Sequence, residues 1–136
     1  MTNPSSPAEW VAVACIRGAD SNAMLKTGGA STGPVYMAGY AVECSLKAFL
    51  MIQGTPFPAG GAAGHDLAGL WKAARLRLTD LGDTNGAKTF YVDTWSTDLR
   101  YQVAVPSALT SQELVTGAMA LAGWLQTRVR RVSKRK

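Results

Sequence analysis

The chain reads as an all-α protein, an up-and-down antiparallel bundle of four to five helices. Three observations predict this. Apolar residues recur at spacings of three and four through five separate segments. Glycine- and proline-rich stretches divide those segments, and no two segments show the alternation that paired strands need. The 136 residues, 47% of them hydrophobic and 17% charged, provide a real core for one domain and argue against disorder. That domain is expected over residues 8–130, between a disordered lead-in at 1–7 and a basic tail at 131–136. The prolines and polar residues of MTNPSSP favour no regular structure.

From Pro7, the spacing of Trp10, Val13, Ala14, Arg17, Met24 and Leu25 predicts a first helix of about seventeen residues, stopped by Gly28 and Gly29. Pro34 suits the first turn of a second helix. Its apolar positions, Val35, Met37, Ala38, Ala41, Val42, Leu46, Phe49, Leu50 and Ile52, wrap more than half of the circumference and mark it as the central buried helix. The stretch GTPFPAGGAAG is expected to be a mobile loop without regular structure. A third helix is expected to begin near His65 and Asp66, to carry Leu67, Leu70, Trp71, Ala74 and Leu78 on its apolar stripe, and to break by Gly82. AKTFYVDTWSTDLRYQ fits helical spacing through Phe90, Tyr91, Trp95, Leu99 and Tyr101, and Pro106 then lies in a loop. The last helix opens at Thr110 or Ser111 with Glu113 completing a capping box. It buries Leu114, Val115, Ala118, Leu121, Ala122, Leu125 and Val129.

The net charge of +5 is concentrated at one end, where Arg128, Arg130, Arg131, Lys134, Arg135 and Lys136 fall within nine positions. The rest of the chain holds eight basic against nine acidic residues, so it lacks the broad basic face of a dedicated nucleic-acid binder. The tail is able to hold phosphates by charge alone, and the simpler expectation is a solvated segment whose cations suit the C-terminal dipole of the last helix. No apolar run approaches the eighteen or so residues of a membrane span, and the N-terminus lacks the order of a secretion signal. No membrane association and a cytoplasmic location are therefore expected. Cys15 and Cys44 each sit in an apolar helical pattern, which predicts core packing rather than a disulfide.

Tyr40, Glu43 and Lys47 share one face of the apolar second helix, with the sole histidine, His65, near the start of the next. Burying an acid beside a base is costly unless each finds partners, so the pattern predicts a polar network or a site. A polar cluster of Tyr40, Glu43, Lys47, His65 and Arg100 joining three helices is expected, with Asp66 and Tyr101 as further candidate ligand-binding residues. His65 alternatively caps the third helix or donates to a backbone carbonyl. One histidine, two separated cysteines and no grouped carboxylates predict no metal, and no cofactor motif is present. AGGAAG lacks the lysine and hydroxyl of a phosphate loop. Ser45 has no histidine within helical reach and is expected to pack rather than react. Trp10, Trp71, Trp95 and Trp124 fall one to each of four helices, as core or interface anchors do.

In GYAVECSLKAFLMIQG, GHDLAGLW and DLRYQ, the chain resembles the HEPN family of small prokaryotic helical domains, over about residues 8–130. Tyr40, Glu43, Leu46, Lys47, Ala48, His65, Asp66, Leu67, Leu70, Arg100 and Tyr101 carry the resemblance. It implies a helical bundle that dimerises, a nucleotidyltransferase as possible partner protein, and Arg100 as the cation for Glu43. Many HEPN members are ribonucleases that use an arginine followed four to six residues later by a histidine. Here the nearest arginine upstream of His65 is Arg17, so the motif is missing. RNA cleavage through the 2′-hydroxyl needs a proton acceptor and a fixed cation together. The expected function is therefore a non-catalytic module that binds RNA or a nucleotide, or that regulates a defence, toxin-antitoxin or stress system. The alternatives are a ribonuclease using Arg100 and His65, and a structural module that binds a partner protein.

Overall fold

The structure, a computed structural model, describes residues 3–27, 31–58 and 60–135, and for Arg135 the backbone alone. It is all-helical, a bundle of three long helices and three short ones, with no strand among the described residues. Helix α1 (Pro7–Lys26) begins within the expected lead-in. Pro7 occupies the first turn, and extended Ser6 accepts the Glu9 N–H at 3.2 Å. Met1 and Thr2 lie outside the described residues, as do Gly28 and Gly29, the expected stop of this helix.

Helix α2 (Gly33–Gln53) ends where Gly54 turns left-handed at φ 74°. Every residue from Ala41 to Leu50 is buried, which makes it the central helix as expected. Among the described residues, α2 is long and apolar enough to cross a membrane by length and composition, contrary to the expectation that no run is long enough. Its apolar surface is instead covered by α1 and the C-terminal helix, α6 (Ser111–Arg135).

The intervening segment departs most from expectation. Part of the predicted mobile loop closes one helical turn, α3 (Gly61–Gly64), through the Gly64 N–H to the Gly60 carbonyl at 3.2 Å. The two alanines inside this turn are good helix formers. Helix α4 (Leu67–Ala73) starts after His65, with Asp66 as its cap, and stops well short of Gly82. Arg75 adopts φ 60° and Arg77 is extended, so the chain resumes only as a 3-10 turn at Leu78–Leu81. The helix predicted across AKTFYVDTWSTDLRYQ is divided into α5 (Ala87–Asp93) and a 3-10 turn at Thr97–Tyr101. Ser96 opens the second piece by accepting the Asp98 N–H at 3.2 Å. Such a hydroxyl offers the backbone an alternative to continuing the helix.

Helix α6 has the expected capping box: the Thr110 hydroxyl accepts the Glu113 N–H at 3.1 Å, and Thr110 N–H donates to Glu113 Oε1 at 3.0 Å. The helix continues through the basic segment to Arg135 rather than ending at a tail.

Side-chain contacts fix the helix directions. The Ser21 hydroxyl near the end of α1 donates to the Pro34 carbonyl at the start of α2 (2.7 Å), and Trp10 at the start of α1 lies under Lys47 late in α2. These helices are antiparallel. Gly18 faces Met119 while Cys15 approaches Gln126, so α1 is antiparallel to α6 as well. The Gln126 amide donates to the Ser45 hydroxyl at 3.1 Å, and that hydroxyl donates to the Ala41 carbonyl at 2.8 Å. Ser45 thus both packs and bonds. Cys44 is buried as expected, but Cys15 is exposed at the groove between α1 and α6, because the apolar residues around it include a solvent-facing set.

Two local devices hold the remaining pieces. The Trp95 indole lies directly on Gly39 of α2, where any Cβ would fall inside the ring. Asp83 holds the start of α5, accepting from the N–H groups of Lys88 (3.2 Å) and Thr89 (2.9 Å) and from the Thr89 hydroxyl (2.7 Å). Partial burial raises its pKa, but the bonds from Thr89 and Lys88 outweigh that and hold it below the ordinary 3.8.

Gly39→Ala is expected to lower stability by about 1–3 kcal/mol through overpacking, read from the midpoint of denaturant unfolding. Asp83→Asn should cost about 1 kcal/mol at neutral pH. Because the folded carboxyl titrates below its unfolded value, its contribution is present above about pH 4 and lost as pH falls through the lowered value. Melts of wild type and variant should therefore converge at strongly acid pH.

Candidate functional site

Glu43 is at the centre of the polar cluster. It is 3% exposed on the innermost stretch of α2, where an isolated carboxylate would be very unfavourable. Two groups compensate it. Lys47, one helical turn on and 1% exposed, donates from Nζ to Oε2 at 3.0 Å, and His65 Nδ1 meets Oε1 at 2.7 Å. Lys47 Nζ also sits 5.1 Å from the centroid of the Trp10 ring. The α3 turn and the Asp66 cap of α4 flank His65 and deliver it to Glu43. Neither of the other roles expected for His65, helix cap or carbonyl donor, is needed.

One third of the His65 side chain remains exposed. Anchoring Nδ1 on a buried carboxylate orients the ring and leaves Nε2 for another partner, a common device for positioning an imidazole.

Tyr40 extends the cluster toward the surface. Its ring meets His65 edge-on at 5.7 Å between centroids, and its hydroxyl is 2.8 Å from that of Tyr36. Trp95 stacks on Tyr36 at 6.3 Å and meets Tyr40 edge-on at 5.5 Å. Burial raises the Tyr40 pKa well above the usual phenol range. The Tyr36 hydroxyl and the negative charge of Glu43 add to this, while Arg100 opposes it. The neighbouring Cys44 thiol is likewise pushed up to about 12, first by burial and then by Glu43. It is therefore an unreactive packing group.

Arg100 is not the cation that compensates Glu43. It is exposed in the 3-10 turn Thr97–Tyr101, and among the described residues Glu43 pairs with Lys47 and His65. The turn itself is held against the start of α2, since the Thr32 hydroxyl shares its one proton between the Leu99 and Gln102 carbonyls, each at 3.4 Å. This brings the Arg100 guanidinium to the Tyr36 hydroxyl, which raises its pKa further. The expected five-residue cluster is thus a chain of contacts, Lys47 to Glu43 to His65 to Tyr40, continued through Tyr36 to Arg100.

The two further candidates lie outside it. Asp66 is exposed and spends its carboxylate on the Gly69 N–H at 3.2 Å. Tyr101 is 76% exposed, with the Arg100 guanidinium 4.8 Å from its ring centroid. Tyr36 and Trp95 were not anticipated as members. Tyr36 precedes Tyr40 by four residues, so the same spacing rule that joined Glu43 to Lys47 would have found it. No local signal points to Trp95, which arrives from a distant segment.

Trp10, Trp71 and Trp95 are buried and Trp124 is half-buried, so three of the four are core anchors. A cavity of about 410 Å³ beside Trp10, Met51 and Phe57 is lined by none of the cluster residues. Among the described residues no group of three metal-ligating side chains gathers. Comparison with family models, with curated proteins and with solved structures gave no match.

Truncating Glu43 leaves Lys47 in the interior without its carboxylate. Glu43→Ala is expected to cost about 3–5 kcal/mol. The double variant Glu43→Leu, Lys47→Met should be markedly more stable than Glu43→Ala in the same urea titration.

Proposed function

We propose that this chain is a HEPN-like module without catalytic activity of its own, which binds a phosphate-bearing ligand, a nucleotide or an RNA end, between His65 and Arg100. The supporting observation is that a one-third-exposed imidazole fixed by a buried carboxylate and an exposed guanidinium lying 4.8 Å from the Tyr101 ring centroid flank the bonded pair Tyr36 and Tyr40. Two cationic or hydrogen-bonding donors with little orientational freedom suit a phosphate, since bonds to charged groups are the strong ones. Two aromatic rings lie between His65 and Arg100, unlike the close pair on one helix in HEPN ribonucleases, and this favours recognition over chemistry.

As in the HEPN proteins it resembles, the module would act in the cytoplasm as a homodimer. A nucleotidyltransferase is the partner protein to test first, and a defence, toxin-antitoxin or stress system is the setting. With three tryptophans internal, a pure protein-interaction scaffold working through tryptophan faces has less surface to use.

Calorimetric titration with adenosine monophosphate, alongside a cleavage assay on end-labelled single-stranded RNA, tests this reading. Binding should weaken about tenfold in His65→Ala and in Arg100→Ala, the size of one charge-assisted hydrogen bond. The RNA should stay intact. Cleavage by wild type that disappears in both variants would replace the proposal with the ribonuclease reading, and absence of nucleotide binding would end it.

A further inference from the structure

The last three turns of α6 form a separate charged surface. Glu113 is the final acidic residue of the chain, and Arg128, Arg130, Arg131 and Lys134 follow on a continuous helix. A helix holds these charges in a fixed array, which a disordered tail does not. By the 3.6-residue period of the helix, Trp124, Arg128 and Arg131 lie along one side, and Arg130 and Lys134 form the row next to Arg131.

Trp124 stacks on Trp71 of α4 with 6.1 Å between centroids and 28° between planes, and the Arg128 guanidinium sits 3.9 Å from the Trp124 ring centroid. The first cation of the array is therefore pinned by a tryptophan pair. Exposed Lys72 follows Trp71 in the chain. Arg130, Arg131 and Lys134 have no acidic partner among the described residues; the ion pairs formed there involve Asp20, Asp80 and Glu43. The apolar side of the same helix, Leu121, Leu125 and Val129, is buried against the core.

We infer that the C-terminal third of α6 is a docking strip for the phosphodiester backbone of a nucleic acid. Charge complementarity selects the partner class: an unneutralised line of cations fits a polyanion. A membrane is disfavoured because the helix has no free apolar side to insert. Recognition is blind to sequence, as phosphate contacts are. This surface stands apart from the His65 and Arg100 site and does not depend on it.

The test measures fluorescence anisotropy of labelled 20-nucleotide single-stranded RNA and of duplex DNA, with vesicles of anionic phospholipid as a third arm. With about four phosphates neutralised, log affinity for RNA should fall against log salt with a slope of about −3. The double variant Arg131→Glu, Lys134→Glu should lose at least tenfold in affinity while its thermal melt and its binding of adenosine monophosphate are unchanged. His65→Ala should leave polymer binding intact. Binding that is flat in salt, or equal in the charge-reversed variant, overturns the inference, and so does binding to vesicles but to neither nucleic acid. If RNA and DNA bind alike, the shared backbone is the ligand. If only one binds, that polymer is the partner.

Discussion

Burying an acid and a base one turn apart on the most enclosed helix is the constraint around which this fold is organised. A carboxylate at 3% exposure and an ammonium at 1% would each lose several kcal/mol of hydration if unpartnered. Their mutual bond at 3.0 Å satisfies only part of that demand, and Glu43 requires a donor for its second oxygen. The segment after α2 therefore has to return to the middle of that helix, and a glycine-rich turn followed by the Asp66 cap brings His65 there. Lys47, Glu43 and His65 consequently join the start of α4 to α2 by chemistry as well as by packing. A purely apolar interior would be no less stable, but would place no such demand on how the chain returns.

The same cluster links the interior to the surface. Lys47 and Glu43 lie in the core, His65 is one-third exposed, and Arg100 is on the outside. Tyr36, Tyr40 and Trp95 fill the space between, and Gly39 permits the indole to press against the α2 backbone. Side chains held by rings and by a buried carboxylate lose little freedom when a ligand arrives. That preorganisation of His65 is the physical support for the recognition role proposed above.

Charge is segregated along the chain. Acids and bases are mixed from α1 to the start of α6, whereas the end of α6 carries cations alone. Because α6 continues to Arg135, those cations extend the helix instead of trailing from it, and the stacked pair Trp71 and Trp124 ties their first member to α4.

Helical class, the central position of α2, the capping box at Thr110 and the pairing of Glu43 with Lys47 were legible from residue spacing, because each is set within one or two turns of a helix. The same local logic overran at His65 to Gly82 and at AKTFYVDTWSTDLRYQ, where hydroxyl caps and an Arg75 at positive φ divide apolar patterns that look continuous. It also misjudged Cys15, since a helix with apolar residues on nearly all sides does not declare which side the neighbours will cover. Arg100 was foreseen as a member of the cluster but not its place there. Glu43 is partnered by His65 as well as Lys47, and the arginine lies outside against Tyr101. Periodicity determined which segments coil and which carry the costly charges. Only the tertiary structure decided which distant donor reached each buried acceptor, because that depends on where loops of low intrinsic order return the chain, and no spacing along the sequence encodes that return.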